Sequence, residues 1–339
     1  MSSSILFFLA GLLWNAYTVR RIDSLFQLST QTVFLITVSV LVTVKLRKKY
    51  KGSEVPLQLK TPWYYHNRLI PFLFGALLGT DALLFYKSAS LLPSIIFVLF
   101  LFLLIVINEF YKKERYQSFL WMFQLIIAHA AYWMIIIPIT VKKMGLHPFL
   151  AALACSVIGL YFILITSRAP LRYFILTLAM HLSFLGLYQL QWIPPIPLSI
   201  RYAGIYHDIT KQEGYYWLKS ETPFWKFWKK GDQDFLSRPG DTLHVFVQIF
   251  APTGFNDQLF IVWQKQSDAK QWVTQDKIPL LITGGREHGF RGHSNKSNYT
   301  EGYWRVLIKT LDDREVGRLT FTITPDARWT ERVWHIDRR

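Results

Sequence analysis

Seven apolar segments precede residue 195, and nothing else in the chain constrains its fold as tightly. They run roughly over 5–19, 24–44, 69–86, 90–110, 118–140, 147–167 and 172–190. A hydrocarbon core of about 30 Å takes about 20 helical residues, so most of these stretches are long enough to cross a bilayer. The first, at about 15 residues, is short. Met1-Ser2-Ser3-Ser4 offers no cation for a signal-peptide n-region and no A-x-A-like site follows, so this stretch reads as an uncleaved helix. Pro71, Pro93, Pro138 and Pro148 lie near segment ends, where a missing N–H and a fixed φ disturb a helix least. The first 190 residues are therefore expected to form an all-α bundle of about seven transmembrane helices.

Charge separates this reading from a nucleic-acid one. Of 339 residues, 51% are hydrophobic and 18% charged, yet 38 Lys+Arg against 22 Asp+Glu leave a net +16. Residues 1–200 hold 17 basic and 5 acidic side chains, whereas 201–339 hold 21 and 17. A nucleic-acid-binding face would concentrate its cations on a soluble domain. Here the excess lies in the apolar half, between the segments. Alternate loops carry 12 and 5 Lys+Arg. Lys45, Arg47, Lys48, Lys49, Lys51, Lys60 and Arg68 are in the richer set, as are Lys112, Lys113, Arg115, Arg168 and Arg172. The richer side is expected to be cytoplasmic. With seven spans this places the N-terminus inside and everything after residue 190 outside, in a cell's inner (plasma) membrane.

Asp81, His129 and His181 fall at mid-depth in the third, fifth and seventh segments. Ionisable groups at membrane depth mark either a proton or cation relay or an interhelical hydrogen bond. Both readings stay open on the sequence. Cys155, the single cysteine, has no partner for a disulfide or a metal site.

Gln191-Trp192-Ile193-Pro194-Pro195-Ile196-Pro197 closes the last segment. Three prolines in four residues stop a helix and make residues 191–200 a stiff linker, with Trp192 suited to the headgroup zone. Beyond it the hydrophobic period changes to two. Strands are expected at Thr242–Phe250, Leu259–Trp263, Gln271–Gln275, Lys277–Thr283, Tyr303–Thr310 and Arg318–Thr324. A hairpin is expected from Arg201–Asp208 and Tyr215–Lys219. Seven or eight short strands in 201–339 indicate an all-β antiparallel sandwich domain.

Several runs also carry a family likeness. They include Trp192–Leu198, Tyr202-Ala203-Gly204-Ile205-Tyr206, Ile249–Thr253, Gly289-Phe290-Arg291-Gly292 and Gly302-Tyr303-Trp304-Arg305-Val306. With Phe8-Leu9-Ala10-Gly11 and Arg20–Leu25 near the start, they resemble a bacterial family of multi-spanning membrane proteins. That family bears a C-terminal domain of unknown function, number 2914. The resemblance runs over nearly the whole chain and implies an architecture, but it transfers no activity and no catalytic residue.

Gly284–Tyr299 reads as a long glycine-rich basic loop. Glycines expose backbone N–H groups and cations grip phosphate or carboxylate, so Arg286, His288, Arg291, His293 and Lys296 are the candidate ligand-binding residues. A solvated loop that merely meets positive-φ demands is the alternative. His288 and His293 with Glu287 match no standard zinc spacing, so no metal is assigned. Trp225 and Trp228 among Lys226, Lys229 and Lys230, and Trp329 and Trp334 among arginines, suit a membrane interface or a sandwich edge. No phosphate loop, dinucleotide fingerprint, nucleophile elbow or zincin helix occurs, and nothing argues for an enzyme or a cofactor.

The expectation is a polytopic inner-membrane protein of unassigned activity. It would present its β-sandwich outside the cytoplasm as a binding module for another envelope protein, a glycan or a lipid headgroup, with the bilayer as constant partner and no nucleic acid. The alternative is a channel or transporter using the Asp81, His129 and His181 relay with the β domain as accessory. An extracytoplasmic hydrolase built on Glu287, His288 and His293 comes third.

Overall fold

The computed structural model describes residue 13, 24–52, 54, 64–110, 114–223, 225–226, 228–284, 289–328 and 330–339, with backbone alone at 108–110 and 114–115. The chain divides into two units, Met1–Pro197 and Leu198–Arg339.

Among the described residues the first unit contains six helices, not seven: α1 (Leu25–Lys51), α2 (His66–Ser88), α3 (Leu92–Phe110), α4 (Glu114–Val141), α5 (Leu146–Ser167) and α6 (Leu171–Gln189). They coincide with the second to seventh apolar segments. The expected span at 5–19 falls outside the described residues, apart from Leu13. Among the described residues five helices are long and apolar enough to cross a membrane; α3 offers a shorter apolar stretch, Leu92–Ile107. Gly52 adopts φ +65° and caps α1, just after Lys48, Lys49 and Lys51, whose charges suit the negative end of the helix dipole.

Burial differs around these helices. On α2 the run Leu73–Ala82 is buried throughout, so neighbours enclose it. On α5, Ile158, Tyr161, Phe162 and Ile165 are each at least half exposed, and on α6 so are Leu171, Ile175, Leu178 and Leu182. Steps of three and four residues put each set on one helical face. Two bare apolar stripes result.

The second unit is β-rich. Its eleven described strands are β1 (Ser199–Tyr206), β2 (Asp208–Gln212), β3 (Tyr215–Ser220), β4 (Asp234–Ser237), β5 (Leu243–Phe250), β6 (Asn256–Gln266), β7 (Trp272–Thr283), β8 (Phe290–Lys296), β9 (Gly302–Thr310), β10 (Glu315–Pro325) and β11 (His335–Arg338). They form sheets ordered β1-β5-β8, β4-β10-β9-β6-β7 and β11-β3-β2. Inward Trp304, Val306 and Ile308 from β9 and Phe321 and Ile323 from β10 lie within 4% of full burial, beside Trp263 of β6. The Trp263 indole N–H reaches Ser294 Oγ of β8 at 3.4 Å, joining the five-stranded and first sheets across this core.

Four expectations change. The sandwich is not purely antiparallel: β4, at a sheet edge, runs parallel to β10, pairing Asp234–Ser237 with Thr322–Pro325. Gln271–Gln275 and Lys277–Thr283 are one strand, β7. Trp263 pairs with Asp276 but Gln264 with Thr274, so Gln275 is a bulged extra residue that breaks the alternation without ending the strand. The hairpin joins β2, not β1, to β3 around Glu213-Gly214, while β1 pairs with β5. Finally, the second half of the glycine-rich basic loop is strand β8, hydrogen-bonded along β5.

Candidate functional site

Placement on β8 separates the candidate ligand-binding residues. Arg286 and His288 lie outside the described residues. Gly292, Ser294 and Lys296 are buried while His293 and Asn295 are exposed, the alternation a half-buried strand imposes. Lys296 therefore points inward, 6% exposed. Its ammonium pairs with Asp276 of β7 and bonds Asn298 Oδ1 at 3.0 Å, so it braces two strands. Arg291 and His293 point the other way, towards Tyr216 of β3. The guanidinium lies 5.4 Å from that ring's centroid and donates to the Arg339 backbone oxygen at 3.1 Å. The imidazole meets the same ring edge-on.

The aromatic candidates also divide. Trp225 and Trp228 are 55% and 60% exposed, with their rings edge to face. Trp334 instead packs beside His207 and under the ammonium of Lys219, so it is a sandwich-edge residue. Trp192 is half buried, and Trp329 lies outside the described residues.

In the helical unit, His181 Nδ1 lies 2.7 Å from the Thr177 carbonyl and Nε2 lies 2.9 Å from Ser156 Oγ of α5. A carbonyl only accepts, so Nδ1 carries a proton, and in the neutral ring Nε2 accepts from the serine. His129 Nε2 meets Ser39 Oγ of α1 at 3.0 Å, and its ring lies against Gly159 of α5. Asp81 is 1% exposed on α2, with no hydrogen-bond partner for Oδ2 among the described residues. The two histidines thus brace α1 to α4 and α6 to α5. Among the described residues no hydrogen bond joins Asp81 to either histidine.

Sequence reading missed a polar network around His207. The ring is 5% exposed, stacked on Phe235 at 4.1 Å. Glu221 and Asp232 stand 3.6 Å from Nε2, and Asp241 stands 3.8 Å from Nδ1. These distances are too long for hydrogen bonds. The carboxylates are engaged elsewhere. Asp232 accepts from the Glu221 and Thr222 amides and the Thr222 hydroxyl at 2.8–3.0 Å. Asp241 accepts from the Arg238 amide at 2.7 Å and from Arg332, and Arg332 also pairs with Glu221 at 2.6 Å. Burial, reinforced by the Arg332 charge, lowers the His207 pKa to about 4. Asp241, despite burial, is held below the usual carboxylate range by hydrogen bonds from Arg332 and the Arg238 amide. The result is a neutral imidazole used as an aromatic plate, and a guanidinium that fastens the segment before β11. Among the described residues, neither this cluster nor any other group of three or more His, Cys, Asp or Glu side chains is placed to hold a metal ion.

Beside this network opens a cleft of about 560 Å³. Its wall carries Arg201, Lys226, Lys229, Lys230 and Arg339 and, among the side chains of the described residues, a single carboxylate, Asp337. Arg201 is the bulged residue of β1, skipped between Ile200 and Tyr202 in the pairing with β5. The three lysines sit on the turn that ends at Gly231, whose φ is +69° and whose Cα faces the Ile205 carbonyl so closely that a Cβ would lie 2.1 Å from that oxygen. Only glycine fits there. Tyr206 and Tyr202 are joined hydroxyl to hydroxyl, and Tyr202 donates to Asp337 at 3.0 Å. Burial raises both tyrosine pKa values, so both remain phenols. Arg339 also donates to Asp337, at 2.9 Å and 3.1 Å. Lysines next to exposed tryptophans were legible in the sequence; their convergence with Arg201 and Arg339, from opposite ends of the unit, was not.

No curated protein matches the chain. Solved structures that resemble it include an immunoglobulin-like protein from Pseudomonas aeruginosa, at 11% identity over 38% of this chain and 96% of that one, with a TM-score of 0.23. A GH3 beta-glucosidase from Bifidobacterium adolescentis is 10% identical over 38% of this chain and 19% of its own, with a TM-score of 0.18. An alkylpurine DNA glycosylase from Pseudomonas fluorescens is 10% identical over 90% and 99%, with a TM-score of 0.23. The family likeness read from the sequence holds in the β-rich unit, where residues 256–323, from the start of β6 into β10, match the family described as Protein of unknown function (DUF2914).

Proposed function

We propose that the chain is a multi-spanning membrane protein that presents its β-rich unit outside the cytoplasm as a binding module. Membrane insertion is supported by five helices of sufficient length and apolarity. The bare stripes on α5 and α6 add to this, because such surfaces are disfavoured in water and suited to lipid. Orientation rests on the asymmetry of Lys and Arg between alternate loops. The binding role rests on one observation, the cleft whose wall carries five cations and, among the side chains of the described residues, one carboxylate. Recognition is thereby assigned to this cleft, with Arg291 supporting it through the Arg339 backbone, and no longer to the glycine-rich stretch as a whole.

The relay reading of the helical unit is less well supported, because both histidines are engaged in interhelical hydrogen bonds of a bracing kind. The test is crosslinking and pull-down of the full-length protein from native membranes. A captured envelope component that is lost when Lys226 and Lys230 are replaced by serine supports the module. A function abolished by Asp81→Ala, His129→Ala and His181→Ala in stably folded protein, and untouched by the lysine changes, would favour transport.

A further inference from the structure

Charge in the cleft is unevenly compensated. Lys229 pairs with Asp234. Asp337 is held by Arg339 and by the Tyr202 hydroxyl, so this carboxylate is engaged. Lys226 and Lys230 have no carboxylate partner among the described residues. Their ammonium groups stand over the rings of Trp225 at 5.1 Å and Tyr202 at 5.3 Å. A ring face attracts a cation only weakly compared with an anion. Two ammonium groups on one wall, with Arg201 and Arg339 beside them, therefore leave a positive potential that a bound anion would relieve.

We infer that this cleft binds a phosphate ester through Lys226 and Lys230, with Arg201 and Arg339 flanking it. The inference rests on the binding-module reading and names its ligand chemistry. Phosphate is favoured over a simple carboxylate for two reasons. Lysines act as rotatable point charges and suit the spread charge of a phosphate, while the fork of Arg339, which would match either anion, is already turned to Asp337. Two uncompensated ammonium groups also match a phosphomonoester dianion or a pair of diester charges. The cavity, about 560 Å³, is in the range of pockets that hold whole small molecules, so it has room for what the phosphate is esterified to. The phenols of Tyr202 and Tyr206 supply an aromatic wall. A lipid headgroup and a soluble phosphate ester share this chemistry, and exposed Trp225 and Trp228, on the same turn as the lysines, would favour the lipid.

The experiment uses the full-length protein. In neutral detergent it is titrated calorimetrically with glycerol 3-phosphate and with inorganic phosphate. In nanodiscs of phosphatidylcholine, with and without phosphatidylglycerol, bound lipid is counted by native mass spectrometry. The same is done for Lys226→Ser/Lys230→Ser and for Lys142→Ser/Lys143→Ser, a pair between α4 and α5. Binding weakened at least tenfold by the cleft pair and unchanged by the loop pair supports the inference. Loss in the nanodisc arm alone marks a lipid, and loss in the soluble arm marks a free ester. If the cleft pair binds every probe as the wild type does, or if no probe binds the wild type, the inference is overturned. In that case a component still captured in the pull-down would leave the broader module reading standing, with another ligand. Unchanged circular dichroism of both variants shows that they fold.

Discussion

At the scale of single residues, His207 shows how a buried titratable group is tuned by where its neighbours' charges are directed. Three carboxylates lie within 3.8 Å of its ring, which would raise its pKa if they were free. They are turned to Arg332, to backbone amides and to the Thr222 hydroxyl instead, so burial prevails and the pKa falls to about 4. A folded-state value below the unfolded one, about 6.5, means that the unfolded chain takes the proton first. Stability from this group is full above pH 6.5 and is lost as pH falls towards 4, by up to about 1.4 kcal/mol per unit. Glu221 and Asp232, raised by burial, act in the opposite sense. Asp241, Lys219 and His244 complete the charged surroundings. His207→Phe removes the titration while preserving the stack on Phe235. Denaturant midpoints of the β-rich unit in the full-length protein are expected to lose a component of about 2–3 kcal/mol between pH 6.5 and 4 in this variant. An unchanged pH profile would show that His207 does not titrate in this way. None of this was legible in the sequence, because Glu221, Asp232, Asp241 and Arg332 reach the ring only through tertiary contact.

Elements were legible where one periodicity governed them. β9 and β10, expected at Tyr303–Thr310 and Arg318–Thr324, span Gly302–Thr310 and Glu315–Pro325, since alternation with one buried face marks a strand. β8 was read as loop because its buried positions are Gly292, Ser294 and Lys296, none of them apolar. They are small or polar because the opposite sheet comes close. A Cβ on Gly292 would lie 2.8 Å from Leu280 of β7, and one on Gly317 of β10 would lie 2.4 Å from Ile200 of β1. At Gly292 the atoms met are the methyl ends of a flexible leucine, whereas at Gly317 they lie near the root of a β-branched side chain, so Gly317 is the tighter constraint. Gly317→Ala is expected to force β1 and β10 apart or to turn Ile200 out of its rotamer. Overpacking of this kind destabilises by about 1–3 kcal/mol, read as a lowered denaturation midpoint of the unit. Ile200→Ala in the same chain should restore part of the loss, since it removes the atoms the new methyl meets. If Gly317→Ala melts as the wild type does, the close approach is not a packing constraint.

For the whole molecule the charge balance is the informative quantity. The net +16 is at first sight a reason to look for nucleic acid, but its distribution along the chain argues for orientation across a bilayer. The cationic cleft is a local feature of a unit whose 21 basic and 17 acidic residues nearly cancel. Orientation is open to a direct test because Cys155 is the chain's single cysteine. Replacing it with serine gives a blank background for new cysteines. Lys51, at the end of α1, belongs to the cation-rich side, and Lys143, between α4 and α5, belongs to the poor side. Glu213, in the β2–β3 turn, reports on the β-rich unit. If the richer loops face the cytoplasm, a membrane-impermeant maleimide should label Lys143→Cys and Glu213→Cys in intact cells. Lys51→Cys should react only after permeabilisation. The reverse pattern would put the β-rich unit and its cleft in the cytoplasm. Labelling of Glu213→Cys and Lys51→Cys together would overturn the reading in which each of α2 to α6, the shorter α3 included, crosses the bilayer, because five crossings would put those two positions on opposite sides.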